Sequence, residues 1–104
     1  MVKEITTQEF NEKVINNSKP TLVDFWAAWC GPCRMLSPLV DSMSEQYDAV
    51  DFYKVNVDEE PDLAREYGIM SIPSLIMFKD GEVFDESVGV APEAELKAFI
   101  EKAI

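Results

Sequence analysis

Two cysteines are the residues of this chain whose type and spacing most directly suggest chemistry. Cys30 and Cys33 enclose a glycine and a proline, and the 104-residue sequence has no other cysteine and no histidine. Pairs with this spacing occur in zinc sites, in iron–sulfur sites and in redox-active dithiols. The remaining sequence must discriminate between these uses.

A metal site is disfavoured by the lack of further ligands. Structural zinc usually requires four cysteine or histidine side chains, and one subunit offers two. We therefore expect no metal, and a metal ion or iron cluster shared between two subunits is the remaining metal alternative. A purely structural disulfide is also disfavoured, because the entropic benefit grows with loop length and only two residues separate these cysteines.

A redox role has a physical mechanism. The apolar run Thr21–Trp29 indicates a buried strand, and a helical pattern follows the cysteines, so Cys30 is predicted at a helix N-terminus. Unpaired backbone N–H groups and the helix dipole favour the thiolate there, which is the form that attacks a disulfide. Cys33, further into the helix and predicted to be more buried, would then resolve the mixed disulfide. Pro32 suits a first helical turn, and Gly31 adds flexibility.

Apolar periodicity predicts the elements that hold this pair in place. The predicted strands are Val2–Ile5, Thr21–Trp29, Phe52–Val57, Leu75–Phe78 and Val83–Val88. Helices are predicted after a capping box at Thr6 and Glu9, from the cysteine pair to Tyr47, from Pro61 to Gly68, and from Pro92 onward. The order βαβαβαββα predicts an α/β fold, with helices on both faces of a mixed sheet.

The second predicted helix carries an apolar stripe that should face the sheet. Its members are Met35, Leu36, Leu39, Val40, Met43 and Tyr47. The last two predicted strands flank a short turn that ends at Gly81, which is typical of an antiparallel hairpin.

Length, composition and charge limit the class of protein. A chain of 104 residues with 47% apolar residues fits one domain, residues 1–104. The net charge of −11 disfavours nucleic acids and anionic membranes as partners. The first ten residues contain no apolar run long enough for a signal peptide or a membrane span. We expect a cytoplasmic monomer, in a reducing compartment where cysteines are more often catalytic than structural.

The segment Trp29–Cys33, WCGPC, resembles the active-site segment of the thioredoxin family, and the likeness extends over essentially the whole chain. The other matching pieces are VDFWA with Asp24, CRM with Pro38, Lys54 with VDEEP, SIPSL with Pro73, Gly81 in KDGE and Gly89 in VGV. The resemblance implies five strands in the order 1-3-2-4-5, the last two antiparallel, flanked by four helices. It also implies a reductase of protein disulfides, which is re-reduced by a flavin-containing, NADPH-dependent thioredoxin reductase and needs no cofactor beyond its dithiol.

The resemblance implies catalytic roles for two charged residues, Asp24 and Lys54. Asp24 is an acid within an apolar strand, and burial would raise its pKa toward neutrality. The family implies that Asp24 helps Cys33 to lose its proton through water, with Lys54 nearby to tune the carboxyl. A solvated strand end is the alternative for Asp24, and a solvated strand residue is the alternative for Lys54.

The resemblance also implies a substrate-binding surface. Pro73 could simply precede a strand, but the family has a cis peptide between Ile72 and Pro73, facing the cysteines. The Ile72 backbone would then be free to pair with an extended substrate. The remaining residues of the implied apolar surface are Trp29, Gly31, Pro32, Gly89, Val90 and Ala91.

Met70, Ser74 and Val90 depart from residues frequent in the family, which bears on partner preference rather than on the reaction. A disulfide oxidase or isomerase is a rival within the same chemistry. Gly31 and Pro32 offer no side-chain donor to stabilise the thiolate, so a low reduction potential is expected. A rival of another class is a redox-independent binding subunit that uses the same apolar surface.

Overall fold

The computed structural model, which describes residues 2–104, confirms the predicted alternation of strands and helices. The strands are β1 (Lys3–Glu4), β2 (Thr21–Trp26), β3 (Asp51–Asn56), β4 (Ser74–Lys79) and β5 (Glu82–Val88). The helices are α1 (Thr7–Phe10), which continues as a π-helical turn (Asn11–Ile15), α2 (Gly31–Gln46), α3 (Pro61–Glu66) and α4 (Glu93–Glu101). Met1, the first residue of the predicted domain, lies outside the described residues.

The five strands form one mixed sheet in the order β1-β3-β2-β4-β5. Strands β1, β3 and β2 are parallel, whereas β4 is antiparallel to both β2 and β5. This arrangement confirms the predicted α/β fold and strand order. In the register, Asp24 of β2 lies between Lys54 of β3 and Leu75 of β4, so an acid occupies the centre of the sheet.

Each face of the sheet has its own apolar core. Leu22 and Leu75 pack with residues of α2 and α4, such as Leu36 and Leu96. The alternate strand residues pack with the first helix and α3; they include Val23, Phe25, Val55, Ile76 and Phe78. Because alternate side chains point to opposite faces, Asp24 shares the α2 face with Leu22.

The boundaries of β2 and the apolar stripe of α2 differ from the prediction. The strand ends at Trp26 rather than Trp29, because the Cys30 N–H donates to the carbonyl oxygen of Ala27 at 3.2 Å and closes a turn. Met35 is 68% exposed, so the buried stripe of α2 is narrower than the run of apolar residues suggested.

The start of the first helix confirms the capping box. The Thr6 hydroxyl accepts from the Glu9 N–H, and the Glu9 carboxylate accepts from the Thr6 N–H. The π-helical turn that follows was not predicted; its Asn16 N–H donates to the carbonyl oxygen of Asn11 at 2.8 Å. Within residues 2–104, we find no helix that has both the length and the apolarity for a membrane crossing.

The β4–β5 hairpin is antiparallel, as predicted. Its turn residues Asp80 and Gly81 both have positive φ, 53° and 80°, which suits a two-residue turn between twisted strands. A Cβ atom at Gly81 would lie 2.7 Å from the backbone oxygen of Ile15. The hairpin turn therefore packs on the end of the first helix through a contact that only glycine permits.

Gly81→Ala should destabilise the fold by about 2–4 kcal/mol, because it combines an unfavourable φ with a backbone clash. Gly68→Ala is the matched control, since Gly68 also has positive φ (64°) but has nothing within 4 Å of a built Cβ. We expect a loss of only about 1 kcal/mol there. Guanidinium unfolding measures both variants, and equal losses would show that the contact with Ile15 is unimportant.

Candidate active site

The two cysteines form a disulfide at the junction of β2 and α2, with their Cα atoms 5.3 Å apart. Cys30 is the N-cap of α2, and its sulfur accepts a hydrogen bond from the Cys33 backbone N–H at 3.2 Å. Pro32 lies in the first turn, where a missing N–H leaves no bond unmade. The cap position is normally occupied by serine, threonine or aspartate oxygen, so here a sulfur takes the place of that oxygen.

The prediction that Cys33 is the more buried cysteine is wrong for this disulfide form. Cys30 and Cys33 are 3% and 4% exposed, because the short ring holds both sulfurs against Ala27 and Ile72. The two sulfurs differ in their surroundings instead. Cys30 lies at the cap of α2, whereas Cys33 lines a cavity between α2 and the sheet.

Cys30 faces the segment before β4. The Ile72–Pro73 peptide bond is cis, as the family resemblance implied. The Cys30 sulfur lies 3.8 Å from the carbonyl oxygen of Ile72. The Gly89 N–H donates to the carbonyl oxygen of Pro73 at 2.8 Å, which joins the loop after β5 to the same segment. The structure thus brings together Cys30, Ile72, Pro73 and Gly89.

Exposed apolar side chains occur on the segments next to the disulfide. Trp29 is 67% exposed, and Met70, Val88 and Val90 are also exposed. Gly31 and Ala91 are half-buried, and Pro32 is exposed. Large exposed apolar side chains in one region are typical of a contact surface for another molecule.

The Trp29 indole is held by Asp58. Its Nε1 donates to Asp58 Oδ2 at 2.8 Å, although Asp58 was not among the predicted site residues. A signal was present in the sequence: Asp58 follows β3, and the carboxyl ends of the parallel strands β2 and β3 meet at one edge of the sheet.

A cavity of about 90 Å³ lies behind Cys33. Its lining residues are Asp24, Trp26, Cys33, Arg34, Ser37 and Lys54. Asp24 is 5% exposed, and its Oδ1 has no hydrogen-bond partner among residues 2–104, as is also true of Trp26 Nε1. A cavity of this size that contains unpartnered polar atoms can hold water that bridges them.

Burial raises the pKa of Asp24 to about 7, with the Lys54 ammonium acting against this rise and the Asp41 carboxylate adding to it. Lys54 Nζ also lies 5.2 Å from the centre of the Trp26 ring, a cation–π distance. A carboxyl with a pKa near neutrality can both accept and release a proton under physiological conditions. Asp24 and Lys54 therefore lie together at the cavity that Cys33 lines. Asp24 is buried and is not a solvated strand end, whereas Lys54 is half-buried.

Three residues of the cavity, Trp26, Arg34 and Ser37, were absent from the predicted site. Arg34 Nη1 donates to the carbonyl oxygen of Ala28 at 2.8 Å, which ties α2 to the turn after β2. Ser37 is half-buried and lies four residues after Cys33, a spacing that places both on one helix face. Within residues 2–104, we find no cluster of three or more potential metal ligands.

Comparison with known proteins identifies the family. The family model for thioredoxin matches residues 1–102. Thioredoxin from Porphyra purpurea is 48% identical over 104 residues, covering 99% of this chain and 97% of that protein. Thioredoxin 1 from Synechococcus elongatus is 50% identical over 99 residues, covering 94% and 92%, and thioredoxin from Rickettsia felis is 42% identical over 105 residues, covering all of both chains. The chain belongs to the thioredoxin family and is a thiol–disulfide oxidoreductase that reduces disulfides of client proteins.

Proposed function

We propose that this chain reduces client disulfides in two exchange steps, with Cys30 as the attacking nucleophile and Cys33 as the resolving thiol. The observation that carries this assignment is the N-cap geometry of Cys30, whose sulfur accepts the Cys33 N–H at 3.2 Å. A hydrogen bond to the charged form of a group favours that form. The same geometry gives Cys33 no such donor at the front of the helix.

In the first step, the Cys30 thiolate attacks one sulfur of the client disulfide. A bond forms between the Cys30 sulfur and that client sulfur, and the other client sulfur leaves as a thiolate. The start of α2 stabilises the attacking thiolate through its N–H groups and its dipole. The Ile72 carbonyl oxygen, 3.8 Å from the Cys30 sulfur, marks where the client backbone would lie.

In the second step, Cys33 gives its proton to Asp24 through the cavity that both residues line. The Cys33 thiolate attacks the Cys30 sulfur, and the client leaves with its second sulfur as a thiolate. The product is the Cys30–Cys33 disulfide, so two electrons have moved from the dithiol to the client. The near-neutral pKa of Asp24 matches the proton acceptor that this step needs, and Lys54 tunes the carboxyl.

The client docks on the surface around the disulfide. The backbone of the half-buried Ile72 pairs with an extended client segment in the manner of an added strand, and the buried Pro73 supports it from behind. The remaining contact residues are Trp29, Gly31, Pro32, Gly89, Val90 and Ala91. Because the chain carries a net charge of −11, clients with basic residues beside the disulfide would associate fastest.

We further propose that an NADPH-dependent thioredoxin reductase returns the electrons to the Cys30–Cys33 disulfide. Residues 1–104 would act as one monomeric domain in the cytoplasm, with the dithiol as the redox group and no added cofactor. The reducing setting would keep the dithiol available for the next client.

The cysteine roles predict opposite behaviour of two variants. In the reduction of insulin disulfides by dithiothreitol, Cys30→Ser should lose activity by at least about 1000-fold and form no adduct, because the nucleophile is gone. Cys33→Ser should also lose turnover, but it should accumulate mixed disulfides with clients, which mass spectrometry detects. Adducts on Cys30→Ser would contradict the assignment by identifying Cys33 as the attacking thiol. Cellular function retained in that variant would contradict it differently and favour a redox-independent binding subunit.

Because Asp24 is buried, we expect the Asp24→Asn variant to be more stable than the parent, by an amount that depends on pH. The folded-state pKa lies above the ordinary value of 3.8, near 7, so the unfolded chain releases this proton first and Asp24 costs stability as pH rises through this range. Relative to the parent, Asp24→Asn should gain nothing near pH 4 and up to about 4 kcal/mol near pH 8.

Guanidinium unfolding of the oxidised protein at several pH values measures this difference. Asp48→Asn, a change of an exposed residue on the loop after α2, is the control and should stay within about 0.5 kcal/mol of the parent. A constant difference for Asp24→Asn across the pH range would show that Asp24 titrates like an ordinary carboxyl.

A further inference from the structure

Ser37 lies midway along a polar row of α2 that runs from the buried Cys33 to the exposed Asp41, beside the apolar residues that pack on the sheet. Cys33, Ser37 and Asp41 are spaced by four residues, so they lie above one another on the same side of the helix. Cys33 and Ser37 both line the 90 Å³ cavity, and Asp41 is close enough to raise the pKa of Asp24. Ser37 therefore lies between the resolving thiol and a carboxylate whose charge reaches Asp24.

The other groups that face Asp24 cannot perform the same task. Lys54 from β3 and Arg34 from α2 donate only, Asp41 accepts only when it is ionised, and the β4 neighbour Leu75 is apolar. The Trp26 indole N–H, also in the cavity, donates only. A hydroxyl both donates and accepts, so Ser37 is the cavity residue able to accept from the Cys33 thiol while it donates to a water molecule beside the unpaired oxygen of Asp24.

We infer that Ser37 is a positioning residue for the resolving step, and that its hydroxyl aligns the proton path from Cys33 to Asp24. This inference rests on the proposed function of those two residues. The hydroxyl orders the path through one water molecule in the cavity, which would bridge Ser37 and the carboxylate. Alanine at this position would remove the hydroxyl that holds the bridging water against the carboxylate, so the ionised acid would be less stable and the path less ordered.

The experiment follows both exchange steps in one time course of absorbance. Reduced protein is mixed with an excess of an aromatic disulfide whose released thiolate absorbs visible light. Attack by Cys30 releases one aryl thiolate and leaves a mixed disulfide; attack by Cys33 then releases a second aryl thiolate and forms the Cys30–Cys33 disulfide. The first phase depends on reagent concentration, whereas the second, an intramolecular step, does not.

In Ser37→Ala, the second phase should slow by about threefold to tenfold at neutral pH, which is a fraction of the usual gain from general acid–base catalysis. The midpoint of its pH profile should move upward, while the first phase stays as in the parent. Ser37→Thr keeps a hydroxyl and should restore both the rate and the midpoint. Ser42→Ala is the matched control on the same helix, since Ser42 contacts Gln46 and lies outside the cavity.

A second phase that is unchanged in Ser37→Ala, or one that slows without a shift of its pH profile, would overturn the inference. Failure of Ser37→Thr to restore the rate would also overturn it, because packing rather than the hydroxyl would then be responsible. Failure of the proposed function is a different result: the first phase of the parent would be no faster than the reaction of an ordinary free thiol.

Discussion

The contact between the Cys33 backbone N–H and the Cys30 sulfur is the interaction on which the rest of this site depends. It exists because β2 ends at Trp26 and the chain turns through Ala27 before α2 begins at Gly31. A helix start leaves several N–H groups without partners, and a sulfur at the cap receives one of them. Under the proposed mechanism, no charged side chain is needed to stabilise the thiolate, which is consistent with the glycine and proline between the cysteines. The backbone at the start of α2 would then supply the electrostatics of the reaction.

The buried carboxyl of Asp24 lowers the stability of the folded chain at the centre of the sheet. Asp24 occupies a position whose neighbours on the strand are fully buried and apolar, Val23 and Phe25. Desolvation there disfavours the carboxylate, which lowers the stability of the folded chain at neutral pH and gives the carboxyl a pKa suited to proton transfer. A leucine at this position would fit the pattern of β2 better. This cost supports the proposed proton-transfer role of Asp24, since destabilising groups often occur at active sites.

Much of the fold was predictable because local chemistry and global pattern agree. The capping box at Thr6, the first-turn proline Pro61 and the hairpin turn at Gly81 each mark a boundary that the structure keeps. The site cysteines were predictable as well, since their spacing and the absence of other metal ligands left few alternatives. The strand order and the cis bond before Pro73 came from the family resemblance and not from periodicity, because neither has a local signal in this sequence.

Other features depend on contacts that a linear pattern does not contain. The equal burial of the two cysteines follows from the closed disulfide ring, and the exposure of Met35 follows from the narrow contact between α2 and the sheet. The place of Ser37 at the cavity and the hydrogen bond from Trp29 to Asp58 became clear only from the three-dimensional structure. The same holds for the close approach of Gly81 to Ile15, which joins residues far apart in the chain. In each case tertiary packing, not residue type, decides the outcome.

The central claim is that the start of α2 ionises one sulfur selectively. The direct measurement is the pH dependence of alkylation by iodoacetamide in the reduced protein, with peptide mapping to assign the modified cysteine. The account predicts that Cys30 reacts first and that its rate rises with a midpoint clearly below about 8.5, the ordinary value for a free thiol. A midpoint at or above that value, with Cys30 no faster than Cys33, would contradict the account.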